Sequence, residues 1–354
     1  MRIFVINPGS TSTKIAVFMD LNRIFQENIQ HSAEELSPYK HPIEQYDFRK
    51  KCILETLEKA FISMKFDAII ARGGLIHPMP SGVYRINKQM IYDLTYTKHE
   101  HACNLGALLA VDIAEHITYC PAFIADPEVV DEMTPEAHLT GLPEISRISI
   151  FHALNQKAIA HKYASSLRKK YEKLNLIVVH MGGGISIGAH LHGKVIDVNN
   201  ALNGDGPYSP ERAGTLPADQ LIELCFSGKY SKQDLKNKIC GKGGLSAHLG
   251  TNYIPELVKE AEEGNEKVAL ILRGMIYGIA KYIGAMYVVL GGKVDAILIT
   301  GGIAYSNYCT SMLKEKIEFI APVFIYPGED EMESLAYNAY QAMKGNMIWK
   351  EYKG

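Results

Sequence analysis

Four small-residue turns carry most of the polar chemistry in this chain. In VINPGSTSTKIAV, residues 5–17, Asn7 opens a loop in which Gly9 permits close backbone approach. Ser10, Thr11, Ser12 and Thr13 add hydroxyls and Lys14 a cation. Such a turn can present several backbone N–H groups to one anion. It is not a Walker loop, because GxxxxGK[ST] is absent and a strand rather than a helix follows. Read blandly, it is a polar hairpin tip. HMGGGIS, residues 180–186, strings Gly182, Gly183 and Gly184 after His180, more glycine than a hairpin requires. Glycine weakens strands, so the run suggests a backbone that a ligand approaches. ILITGGIAYSN, residues 297–307, places Gly301 and Gly302 between a buried-looking strand and a helix start, where nucleotides gather. AIIARGGLIHP sets Arg72 directly after a strand, either to bind an anion or to make an ordinary surface ion pair. Each turn alone is ambiguous, and together they point to phosphate handling.

The elements that position these turns read as an α/β fold with mixed sheets. Strand-like runs (Ile3–Ile6, Ile15–Phe18, Ala68–Ile70, Ala122–Ala125) alternate with helical stretches such as Phe48–Ser63 and Leu105–His116. A second series follows from Leu176, and IFVINPGSTSTKIAVF and LIVVHMGGGISIGAHL both read strand, small-residue loop, strand. Each opens one half of the chain, which predicts two similar α/β domains facing one another across a cleft. Apolar positions in Val268–Leu290 recur at helical spacing, and Arg273 and Lys281 within them argue against a membrane span, so a largely buried helix is expected.

Composition narrows the function classes. At 47% hydrophobic and 21% charged the chain is globular rather than disordered. A net charge of −2 gives no electrostatic case for nucleic acid or an acidic membrane. The six cysteines show no CxxC pair or metal-ligand spacing, which predicts reduced thiols. No leader architecture opens the sequence, and a cytoplasmic protein is expected.

NPGSTSTK, HMGGGIS and TGGI, in this order and spacing, resemble the acetate kinase family of the actin-like ATPase superfamily. ARGGLIHPMPSGVY, FIADPEVVDEM, FHALNQK, VIDVNNALNGDGPYSPERAGTLP and FIAPVFIYPGEDE resemble its branch that acts on short-chain and branched-chain fatty acids. The resemblance covers essentially the whole chain. It implies two actin-like (ribonuclease H-like) domains flanking a nucleotide-binding cleft, over 1–147 with a returning tail 334–354, and over 148–333. It implies ATP or ADP and Mg²⁺ as cofactors, a small carboxylate as substrate and a homo-oligomer. Carried over position by position, Asn7, Arg72, Asp126, His152 and Arg212 are the catalytic candidates. Gly9, Ser10, Ser12, Lys14, His180, Gly182–Gly184, Gly301 and Gly302 are those for the nucleotide. Asp126 and Glu331 are the metal-linked carboxylates, with Glu329 and Glu333 competing for the second place. Gly74, Phe151 and Pro210 are the acyl-pocket candidates. Other histidines, such as His31, His41 and His161, read as surface or structural.

The implied chemistry is phosphoryl transfer to a carboxylate, which needs positioning and charge stabilisation above all. A short-chain acid titrates near a Glu side chain, about 4.3, and is already ionised at neutral pH. No general base is then required, which suits Asn7 where many superfamily relatives carry Asp. Acetate kinases carry valine two residues after the first arginine, where this chain has Gly74. That difference predicts a larger acyl pocket and a C4–C5 acceptor such as butyrate or isobutyrate, each added buried CH₂ being worth about 0.8 kcal/mol. Two readings compete: a sugar kinase with Asp126 as base, and a nucleotide-gated protein that phosphorylates nothing.

Overall fold

A computed structural model describes all 354 residues. Its strands are, in chain order, β1 (Arg2–Pro8), β2 (Ser12–Met19), β3 (Asn22–Gln30), β4 (Ala68–Arg72), β5 (Val83–Arg85), β6 (Ala122–Ala125), β7 (Asn175–Met181), β8 (Ile185–Leu191), β9 (Lys194–Val198), β10 (Ala296–Gly301), β11 (Val323–Pro327) and β12 (Lys350–Glu351). The chain forms two compact units, Met1–Val130 with Asp330–Gly354, and Asp131–Glu329. The sequence places these junctions at 147/148 and 333/334.

The first unit is built on a seven-stranded sheet, ordered β12-β5-β6-β4-β1-β2-β3. β1, β4 and β6 run parallel, and their continuous apolar letters reflect burial on both faces. β3, at the sheet edge, is mostly exposed and correspondingly polar. The helix Glu331–Met343, from the last stretch of the chain, packs on β1, β4 and β6.

The second unit holds a five-stranded sheet, ordered β11-β10-β7-β8-β9. Its pattern repeats that of the first: two parallel neighbours, then a three-stranded antiparallel meander. In the first unit the same order reads β6-β4-β1-β2-β3. The faint repeat in the sequence is therefore a repeat of topology.

The helix Glu266–Val289 is long and apolar enough to cross a membrane by length and composition. Only one stripe of it is buried, Val268, Ala269, Leu272, Met275, Ile276, Ile279, Ile283 and Met286, against β7, β8 and neighbouring helices. The expectation of a largely buried helix needs correction, because Leu270 and Tyr277 on the opposite side are 61% and 59% exposed. It is a one-sided core helix. All six cysteines are free thiols.

Candidate active site

In the first unit the β1–β2 hairpin sets the first turn. Pairing runs as far as Pro8–Thr13, so only Gly9, Ser10 and Thr11 lie outside the strands. The turn closes through the Gly9 N–H, which donates to the Ser12 carbonyl at 2.8 Å. Asn7 stands directly opposite Lys14, inside the strands rather than in a loop.

Asn7 is nearly buried, and its Nδ2 donates to Glu331 Oε2 at 2.6 Å. Arg72, at the end of β4, donates from Nε to Glu128 and lies 3.5 Å from Glu331 Oε2 through its NH1. Burial would lower the Arg72 pKa, but Glu128 and then Glu331 more than offset it and raise it, so the guanidinium stays charged. Three residues from distant stretches thus form one hydrogen-bonded cluster. Of the three competing glutamates, Glu331 is the one in this cluster. Glu329 pairs with His180, and exposed Glu333 with Arg23.

Asp126 follows β6 with φ +39°, a strained value for a side-chain-bearing residue that is often kept at functional sites. Its Oδ1 accepts from Ser81 Oγ at 2.6 Å and from the Gly82 N–H at 2.8 Å, which holds the carboxylate in place. No three His, Cys, Asp or Glu side chains converge as a closed metal cage. Mg²⁺ needs no such cage, since it keeps waters and takes one or two carboxylates beside substrate phosphates. Asp126 and Glu331 are hard oxygen donors of that kind, and a buried Glu128 oxygen, Oε2, has no hydrogen-bond partner. The donor set fits the ion.

Gly74 is closely packed. A Cβ built there would lie 2.5 Å from Leu94 Cδ2 and 2.6 Å from Asn104 Oδ1. The space that a side chain would occupy is already filled by Leu94 and Asn104. Phe151 and Pro210, the other pocket candidates, are both buried in the second unit, with the Pro210 carbonyl accepting from Ser246.

In the second unit the β7–β8 hairpin carries the triple glycine, closed by the Gly182 N–H donating to the Gly184 carbonyl at 3.0 Å. Each of these glycines stands against a polar side chain. A Cβ on Gly184 would sit 1.8 Å from Arg212 NH1, one on Gly183 3.2 Å from Glu211 Oε2, and one on Gly182 3.0 Å from His180 Nε2. Arg212 therefore lies across the Gly184 backbone, and its buried Nε has no hydrogen-bond partner. An unsatisfied buried guanidinium donor suits an anionic ligand.

His152 precedes the helix Ala153–Ser166 and stacks flat on His180, with ring centroids 3.7 Å apart. His152 Nδ1 hydrogen-bonds Ser186 Oγ at 2.9 Å. His180 is fully buried, with Nδ1 2.8 Å from Asn155 Oδ1 and Nε2 3.2 Å from Glu329 Oε1.

Gly301 ends β10 at φ +90°, and a Cβ there would meet the Met181 carbonyl at 2.4 Å, so only glycine fits. Gly302 is different: no atom approaches the position of its missing Cβ. It borders a cavity of about 300 Å³ lined by Ile254, Pro255, Val258, Tyr305, Ser306 and Asn307. An apolar wall with a few polar groups at a strand's carboxyl end suits a nucleoside.

Sequence reasoning missed Arg49, which is fully buried behind the first turn. Its NH1 donates to the Ser12 carbonyl and Thr13 Oγ1, and its NH2 to the Ser10 carbonyl. Burial lowers its pKa to about 10. In FRKKC it sits among exposed-looking cations, and no letter separates it from Lys50 and Lys51. Glu128 was missed too, although it stands two residues after Asp126.

Comparison with known proteins places the chain in a family. A model of the Acetokinase family matches residues 131–321, just over half of the chain. A protein of Phocaeicola vulgatus named probable butyrate kinase is 60% identical over 353 residues, covering 100% of this chain and 99% of that one. The chain belongs to the acetokinase family. A second relative, from Bacteroides thetaiotaomicron and also named probable butyrate kinase, is 55% identical over 353 residues and covers both chains in full. The crystal structure of Porphyromonas gingivalis acetate kinase superposes with a TM-score of 0.76, covering 97% of this chain and 99% of that one. At 18% identity that likeness shows a shared fold, the two-unit actin-like α/β architecture. The match of the acetokinase model ends near the edge of the second unit, so the Asn7–Arg72–Glu331 cluster lies outside the matched residues.

Proposed function

We propose that this acetokinase-family chain catalyses the reversible reaction butanoate + ATP = butanoyl phosphate + ADP by direct in-line phosphoryl transfer. The observation that carries the proposal is the cluster of Asn7, Arg72 and Glu331, a fixed cation beside a carboxylate and an amide. The names of the two full-length relatives support butanoate as the acceptor.

The acceptor carboxylate arrives ionised, so no residue has to remove a proton from it. Arg72 holds that carboxylate with donors beyond those already engaged by Glu128 and Glu331. Arg212, across the Gly184 backbone, meets charge on the transferred phosphoryl group with its unsatisfied Nε, and His152 adds a ring nitrogen held in a fixed plane by stacking on His180. Gly9 and Ser10 on the first turn, with Ser12 and Lys14 at the start of β2, face phosphate oxygens, and Gly301 and Gly302 border the nucleoside. When bound, Mg²⁺ supplies charge neutralisation on the phosphates, and Asp126 and Glu331 would hold it. A cytoplasmic homo-oligomer completes the proposal.

Hydroxylamine trapping of acyl phosphate formed from ATP tests the reaction. Comparing kcat/KM across acetate, propionate, butanoate, isobutyrate and valerate tests the acceptor. A maximum at butanoate is expected. A maximum at acetate overturns the acceptor assignment, and no trapped acyl phosphate from any acid overturns the kinase reading.

A further inference from the structure

We propose that Arg49 is a positioning residue for the anion-binding turn between β1 and β2: it aims the turn's amides outward and sets beneath them a buried positive charge that the nucleotide's phosphates complete. The inference rests on the ATP-dependent reading above.

All four hydrogen-bond acceptors around the Arg49 guanidinium are neutral. They are the Ser10 carbonyl at 3.0 Å, the Ser12 carbonyl and Thr13 Oγ1 at 2.9 Å each, and Gln45 Oε1 at 3.0 Å from Nε. Among the ion pairs of the chain none involves Arg49. The titratable groups beside it do not compensate its charge. Burial, and then Arg49 itself, lower the His31 pKa to about 4, so His31 is neutral at pH 7. Burial raises the Cys52 thiol, which stays protonated. Exposed Glu35 acts on both of these from the surface and makes no ion pair with Arg49. A fully buried cation without a counter-ion is costly, and most buried charges are paired.

The geometry says where the missing counter-ion belongs. Arg49 draws the Ser10 carbonyl inward, and a planar trans peptide then turns the Thr11 N–H the opposite way. Ser10 and Thr11 are exposed, and neither of their N–H groups donates within the chain. Outward N–H groups over a buried positive charge form an anion site whose preorganisation comes from a residue that never touches the ligand.

A plain staple, tying the hairpin to the helix Tyr46–Lys59, would use the same hydrogen bonds, so the test must separate charge from bonding. Gln45→Glu does so. It places a carboxylate against Arg49 Nε and leaves Arg49 and its other hydrogen bonds in place. The expected result is a melting temperature equal to or above wild type, with ATP binding by calorimetry weakened about tenfold. Arg49→Gln and Arg49→Lys form the second arm, in which Lys retains ATP affinity better than Gln at comparable melting temperatures. Wild-type ATP affinity in Gln45→Glu, or equal losses in the two Arg49 variants, overturns the proposal. Because binding is measured directly, these outcomes decide the role of Arg49 even if hydroxylamine traps no acyl phosphate and the kinase reading fails.

Discussion

Replacing Gly74 by alanine separates two accounts of one missing side chain. If glycine enlarges an acyl pocket, added carbon should penalise long acids selectively. The packing around it says otherwise. The new Cβ would lie 2.5 Å from Leu94 Cδ2, 2.6 Å from Asn104 Oδ1 and 2.8 Å from Asn104 Cα. Asn104 cannot yield freely, because its Oδ1 accepts from the Leu75 N–H at 2.8 Å and its Nδ2 donates to the His99 carbonyl at 2.9 Å. Overpacking costs about 1–3 kcal/mol, and unpairing a buried amide about 1–3 kcal/mol more. For a unit of this size each kcal/mol lowers the melting temperature by about 2–4 °C, so a fall of roughly 4–24 °C is expected. The assay is thermal unfolding alongside kcat/KM for acetate through valerate. Gly74→Ala should melt early and lose activity in the same proportion on every acid. An unchanged melting temperature with selective loss on butanoate and valerate would refute the packing argument and restore the pocket.

Gly184→Ala forces Arg212 off the β7–β8 turn, because no Cβ coexists with a guanidinium nitrogen at 1.8 Å. Steady-state kinetics should show kcat down by about 10²-fold or more, the scale of losing one preorganised donor; a value within twofold of wild type would remove Arg212 from the proposed chemistry. Asn7→Ala removes the 2.6 Å bond to Glu331 and should lower stability by about 1–2 kcal/mol in urea unfolding, while kcat falls much further. His31, depressed from 6.5 to about 4 chiefly by burial, contributes stability that is complete above pH 6.5 and is lost as pH falls towards 4. Urea titrations across that window should show wild type weakening more steeply than His31→Gln, and parallel curves would contradict the assignment.

The strands were legible because burial on both faces writes an unbroken apolar run, as in Phe4–Ile6 or Ile297–Ile299. Their lengths were not, since Asn7 and Lys14 are polar yet paired across the hairpin. The glycine triplet was visible and its neighbours were not: the side chains of Glu211 and Arg212 that stand against Gly183 and Gly184 lie nearly thirty residues on. Glu331 could be named from its neighbourhood, but only tertiary contact with Asn7 and Arg72 separates it from Glu329 and Glu333. Arg49 left no signal, because a cation inside a charged helix segment looks solvated whichever way it faces. The letter missing at Gly74 pointed to empty space, and Leu94 and Asn104 fill it.

The bond from Asn7 to Glu331 spans 324 positions in sequence, and it has a temporal side. The second unit is one continuous stretch of chain, whereas the first is interrupted by it. A ribosome therefore makes every residue of the second unit before residues 330–354, which bring the Glu331–Met343 helix onto β1 and β4. Until that helix arrives, Arg72 has Glu128 as its only carboxylate neighbour and Asn7 has no glutamate to hold. The nascent protein can complete its second unit while the first still lacks a member of its acidic cluster, so the proposed role of Glu331 in phosphoryl transfer puts the onset of activity after that residue has been translated and docked.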